Sequence, residues 1–182
     1  YTIPDNKAPL ISIETDPELS RTIANISIKQ PLFEANTYNE YREKLKHSLF
    51  IGMLNSRYGE NVLKPESPIL GGGANFRRSF GDKSMFNIGA AIKPGKINES
   101  IAFLITEVNR TIQHGFSESE FKRQKASVKN RYEKMAKEAN NIESRNLAGE
   151  YVRHFMKGES SPGVLHENEI TQHFLPTISL AE

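Results

Sequence analysis

Between Phe86 and Lys93 the chain alternates strictly: Phe86, Ile88, Ala90 and Ile92 are interleaved with Asn87, Gly89, Ala91 and Lys93. A period of two over this length is the mark of a strand with one buried face, because successive side chains leave a sheet on opposite sides. On either side the period changes. Tyr41, Leu45, Leu49 and Met53 recur every fourth residue, and Ile101, Leu104, Ile105, Val108 and Ile112 form a second helical stripe. A chain that has to bury both a sheet face and several helix faces is an α+β layer fold, with helices packed on one face of an antiparallel sheet.

The other elements follow from local signals. Residues 8–14 and 21–30 read as two strands: Ile11 and Ile13 alternate with Ser12 and Glu14, and Ala24, Ile26 and Ile28 with Asn25 and Ser27. Asp16-Pro17 sets a turn between them. Thr37-x-x-Glu40 is a capping box that opens a long helix ending before Pro65. Residues 69–93 form a hairpin turning at Gly81-Asp82-Lys83. A second helix starts near Asn98 and stops at Gly115, where the chain needs a residue tolerant of positive φ. Ser117-x-x-Glu120 caps a third helix facing inward through Phe121, Val128, Tyr132 and Met135. A break at Asn140-Asn141 precedes a fourth helix over 143–156, ending at Gly158, and Pro162 begins a short one through Phe174. Residues 177–182 read as the start of a further helix. Short links between neighbouring strands favour antiparallel pairing, and the 182 residues read as a single domain.

Composition removes several function classes. The chain has no cysteine, so disulfides, thiolate metal sites and a cysteine nucleophile are excluded. Twenty-four basic and 22 acidic residues leave a formal net charge of +2, too balanced to point to nucleic acid. No apolar run reaches the ~18–20 residues of a membrane helix, so no membrane span is expected. The first residue is Tyr1, which reads as mature sequence within a longer parent.

Four motifs offer chemistry. His166-x-x-Glu169 is most of an inverted zinc motif, but Ile170 stands where its second histidine belongs. His173 is two helical turns from His166, about 10 Å along the axis, too far to share an ion. Gly71-Gly72-Gly73 lacks the Gly-Lys-Ser/Thr of a phosphate loop. The basic run of the third helix is interleaved with Glu118, Glu120, Glu133 and Glu138 and reads as a solvated face. Phe76-Arg77-Arg78-Ser79-Phe80 is different. With Phe76 and Phe80 inward, Arg78 shares their face and Arg77 points outward. An arginine on an apolar face either finds a carboxylate or opens onto a cavity. Phe76, Arg77 and Arg78 are therefore the candidate substrate-binding residues.

Thr15-Asp16-Pro17-Glu18-Leu19-Ser20-Arg21-Thr22, Ser67-Pro68, Gly115-Phe116-Ser117-Glu118-Ser119-Glu120-Phe121 and Leu175-Pro176-Thr177-Ile178-Ser179 occur in an order and spacing that span nearly the whole chain. Together they resemble the non-catalytic domain of insulinase/pitrilysin-family zinc peptidases, most of all the larger bacterial members. The resemblance implies a domain that helps enclose a chamber for unfolded peptides, with other domains of the parent peptidase and peptide substrate as partners. It places zinc in a His-x-x-Glu-His motif elsewhere in the parent, and this chain has no such motif. It also implies a periplasmic or secreted parent. The Arg-x6-Tyr pair of some C-terminal domains of the family is missing: Lys64 lies seven beyond Arg57, and Met85 seven beyond Arg78. No catalytic residue, metal ligand or cofactor is expected in this chain. Two other readings are a stand-alone peptide-binding or assembly module, and a nucleic-acid module using the third helix.

Overall fold

The computed structural model describes residues 2–182. Among them are three strands and five α-helices, in the order β1 (Thr22–Pro31), α1 (Tyr38–Val62), β2 (Ile69–Arg78), β3 (Lys83–Ile92), α2 (Ile97–His114), α3 (Glu118–Lys137), α4 (Ser144–Lys157) and α5 (Val164–Phe174). The chain divides into two compact units. One holds the residues up to Phe33 and Leu54–Gly115; the other holds Glu34–Met53 and Phe116–Glu182.

The first unit is an antiparallel sheet of order β1-β3-β2 with α2 packed on β3. β2 and β3 are a hairpin whose Gly81 turns with a φ of 57°, a conformation side chains resist. Phe86, Ile88, Ala90 and Ile92 are all buried, as their alternation requires. Leu54, Tyr58 and Leu104 complete this core from the helices. Residues 8–14 form no strand: Ile11 and Ile13 are 84% and 86% exposed. Alternation alone does not make a strand: β1 is an edge of the sheet, yet residues 8–14 form no ladder with its outer side. The turn at Asp16 does form, with the Leu19 N–H donating to the Asp16 carbonyl at 3.1 Å.

α2 is rotated away from part of its apolar stripe: Leu104 is buried and Ile101 and Val108 are half-buried. Ser100, Leu104, Glu107 and Thr111 point inward, whereas Ile105 is exposed and Ile112 is 76% exposed. Polar tethers set this rotation. Ser100 Oγ donates to the Pro68 carbonyl at 3.1 Å, Tyr58 donates its hydroxyl to the Leu104 carbonyl at 3.1 Å, and Arg57 Nη1 donates to Thr111 Oγ1 at 3.3 Å. Gly115 ends the helix with a φ of 65°.

The second unit is helical. Tyr41, Leu45, Leu49 and Met53 of α1 meet Phe121, Val128 and Tyr132 of α3, Ile170 of α5, and Leu175 and Ile178 beyond it in one apolar cluster. Replacing the fully buried Leu45 or Leu49 by alanine costs about 2–5 kcal/mol at sites of this kind. Both capping boxes form: Thr37 Oγ1 accepts from the Glu40 N–H at 3.3 Å, and Ser117 Oγ accepts from the Glu120 N–H at 3.3 Å. Met135, expected inward, is exposed near the end of α3. A short 3-10 turn at Ala139–Asn141 makes the break before α4, and Gly158 ends α4 in the left-handed conformation.

Candidate functional site

The face of the sheet opposite Phe86 and Ile88 is built from rows that the strand register brings together. Ser27, Asn87 and Asn75 lie side by side across β1, β3 and β2. Their side chains are linked: Ser27 Oγ donates to Asn87 Oδ1 at 2.7 Å, and Asn87 Nδ2 donates to Asn75 Oδ1 at 3.1 Å. The next row toward the far end is Asn25, Gly89 and Gly73. A Cβ on Gly89 would stand 2.1 Å from Asn25 Oδ1, so the Asn25 side chain lies flat over that glycine. Toward the hairpin turn the row is Lys29, Met85 and Arg77, with the two cations on the outer strands roughly 10 Å apart. Asn75, Asn25, Ser27 and Arg77 are exposed. The result is a shallow polar face with an amide ladder across its middle and cations at one end.

The edge of β2 is closed by α1. Asn55 Oδ1 accepts from the Ala74 N–H at 2.6 Å, and its Nδ2 donates to the Ala74 carbonyl at 3.0 Å. One side chain thus satisfies both outward-facing backbone groups of an edge residue, which otherwise invite pairing with another strand.

The three residues singled out from sequence do not converge. Phe76 and Arg78 are half-buried on the core face, where the Phe76 ring lies 5.0 Å from that of Phe86. Arg77 is exposed on the opposite face. Phe80, expected to point inward with Phe76, lies past the end of β2 and is 74% exposed. The Ser27–Asn87–Asn75 ladder and the Asn55 clip were not read from sequence. A signal for the ladder exists: Asn75-Phe76 and Phe86-Asn87 are mirror images about Gly81, which fixes the hairpin register by arithmetic.

The residues present do not fit zinc. His166 Nδ1 lies 3.0 Å from Glu169 Oε2, and its Nε2 lies 3.3 Å from the Tyr38 hydroxyl. The carboxylate can only accept, so Nδ1–H donates to it, and Nε2 faces the Tyr38 hydroxyl, leaving neither nitrogen toward His173. The His173 ring packs edge-on against Phe174 at 4.8 Å. Among the described residues no three His, Asp or Glu side chains are grouped to hold a metal ion. No helix among them is long and apolar enough to cross a membrane.

Comparison with known proteins agrees with this geometry. The family profile of the Peptidase M16 inactive domain matches residues 3–128. A zinc protease PQQL-like protein of Arabidopsis thaliana is 25% identical over 182 residues, all of this chain and 16% of that protein. The crystal structure of the first half of the periplasmic protease PqqL from Escherichia coli superposes with a TM-score of 0.79 at 16% identity, over 87% of this chain and 34% of that one. The inactive peptidase domain of a Bordetella parapertussis protein described as a zinc protease superposes with a TM-score of 0.58 at 11% identity, over 90% of this chain and 83% of that one. These likenesses establish the α+β insulinase-like fold, and the profile match establishes the family: the chain belongs to the Peptidase M16 inactive domains.

Proposed function

We propose that this chain acts as one domain of a larger insulinase-like zinc peptidase, where it helps enclose the substrate chamber and holds peptide while zinc chemistry takes place in another domain. The observation that carries this reading is the polar face of the sheet. Exposed Asn25, Ser27, Asn75 and Arg77 present hydrogen-bonding groups to whatever lies over them, while buried Asn87, its amide bonded to Ser27 and Asn75, holds the row in place. An amide carries both donors and acceptors, so such a row matches the alternating groups of an extended backbone without selecting its sequence. Zinc belongs to the parent in this reading. A periplasmic or secreted parent is supported by the likeness to a periplasmic protease.

A photo-crosslinking amino acid incorporated at Asn25 in the full-length parent captures an unstructured peptide when catalysis is disabled. The same group at Lys129, on α3, captures far less. Equal capture at both positions, or none at Asn25, contradicts the chamber role.

A further inference from the structure

We infer that the polar face of the sheet selects acidic segments of an extended peptide, with Arg77 as the cation that reads the carboxylate; this rests on the chamber reading above. Charge is the first argument. Along β1, β3 and β2 the residues on this face include Lys29, Lys83 and Arg77 and no carboxylate. Asp82 in the turn and Asp5 beyond the strands lie at the same end, Asp5 against Lys83, so Lys29 and Arg77 are the cations of this face without a carboxylate partner among the described residues, and that surplus marks the sign of what the face meets.

The second argument is an occupant already present at one end. Residues 3–5 lie outside any helix or strand and run against this end of the sheet. The Ile3 N–H donates to Asp82 Oδ1 at 3.0 Å, Lys29 Nζ donates to the Pro4 carbonyl at 2.7 Å, and Lys83 Nζ meets Asp5 Oδ1 at 3.0 Å. Consecutive residues of an irregular segment thus give the sheet a backbone N–H, a carbonyl and a carboxylate, the groups an acidic peptide would offer. Lys29 and Lys83 are engaged by it. Arg77 has no partner among the described residues. A guanidinium presents a planar fork matched to a carboxylate, so Arg77 is the place for a second acidic side chain.

The experiment measures fluorescence anisotropy of two labelled unstructured decapeptides, identical except for a central Glu or Gln, with the full chain at low salt. The Glu peptide binds about two- to fivefold tighter, as a single exposed charge pair allows. Arg77→Gln abolishes that preference, while Asp5→Asn, which releases Lys83, sharpens it. Both variants keep the wild-type melting curve, because each side chain is exposed. Equal binding of the two peptides overturns the acidic preference and leaves the chamber reading standing. Binding of neither peptide overturns both. Concentration-dependent self-association lost in Arg77→Gln would assign the face to a second copy of the chain and overturn the proposal.

Discussion

Asn55 holds Ala74 by both of its backbone groups, accepting the N–H at 2.6 Å and donating to the carbonyl at 3.0 Å. The pair joins a side chain in the middle of α1 to the outer edge of β2, and it does for that edge what a neighbouring strand would do. Asn55→Ala leaves two backbone groups without their partners beside a buried alanine, and is expected to destabilise the chain by about 1–3 kcal/mol. Urea melts measure it. A midpoint equal to wild type would mean that water replaces the amide without loss.

Gly115 carries a φ of 65°, its N–H donates to the Thr111 carbonyl at 2.9 Å, and Arg57 Nη2 donates to its own carbonyl at 2.9 Å. Nothing lies within 4 Å of a Cβ added there, so the cost of a side chain is conformational and not a clash. Gly115→Ala should destabilise by roughly 1 kcal/mol. An unchanged urea midpoint would show that the helix end tolerates a side chain in this conformation.

Two tyrosines tie stability to alkaline pH. Burial, with a smaller contribution from the Glu107 charge, pushes the Tyr58 hydroxyl up to about 12, and burial also raises Tyr41. An unfolded tyrosine ionises near 10. Both folded values are raised, so their contribution to stability is complete below pH ~10 and is lost as pH rises through the folded pKa. For Tyr58 that window is from about 10 to about 12. Tyr58→Phe should lower stability at neutral pH by about 1 kcal/mol, through loss of the bond to the Leu104 carbonyl, and flatten the alkaline decline. Denaturant melts across this range, with phenolate absorbance as the second readout, test both. An alkaline slope identical in wild type and variant would contradict the assignment to Tyr58.

Much of this fold was legible because it rests on local signals. Both capping boxes, the Tyr41–Met53 stripe, the hairpin turn and the glycine ends of α2 and α4 depend on residues close in sequence. Met135 and Phe80 are misread because periodicity is carried near or past the end of an element, and the other misreadings concern what the element packs against. Residues 8–14 alternate as a strand does but do not pair with the edge strand β1. The α2 stripe predicts one buried face, while Ser100 and Thr111 turn the helix through bonds to Pro68 and Arg57. Of the candidate site, alternation placed Arg77 outward and Arg78 inward. The Ser27 end of the ladder needed the β1–β3 register, which no local motif encodes.

The histidines give a direct metal prediction. His166 is committed to Glu169 and Tyr38, and no His-x-x-Glu-His is present in the chain. A catalytic zinc needs about three protein ligands around one ion. The dialysed 182-residue chain should hold no stoichiometric zinc by metal analysis and calorimetric titration. One tightly bound zinc per chain would show that distant residues assemble a site.

The peptide-holding role itself is tested most directly by steady-state cleavage of an unstructured peptide by the full-length parent carrying Arg77→Ala together with Asn75→Ala. Both side chains are exposed on the polar face, and among the described residues no group of His, Asp or Glu could hold a metal ion. Loss of ground-state binding raises KM and leaves kcat alone. The chamber role predicts a KM raised several-fold with kcat and bound zinc unchanged; an unaltered KM would contradict it.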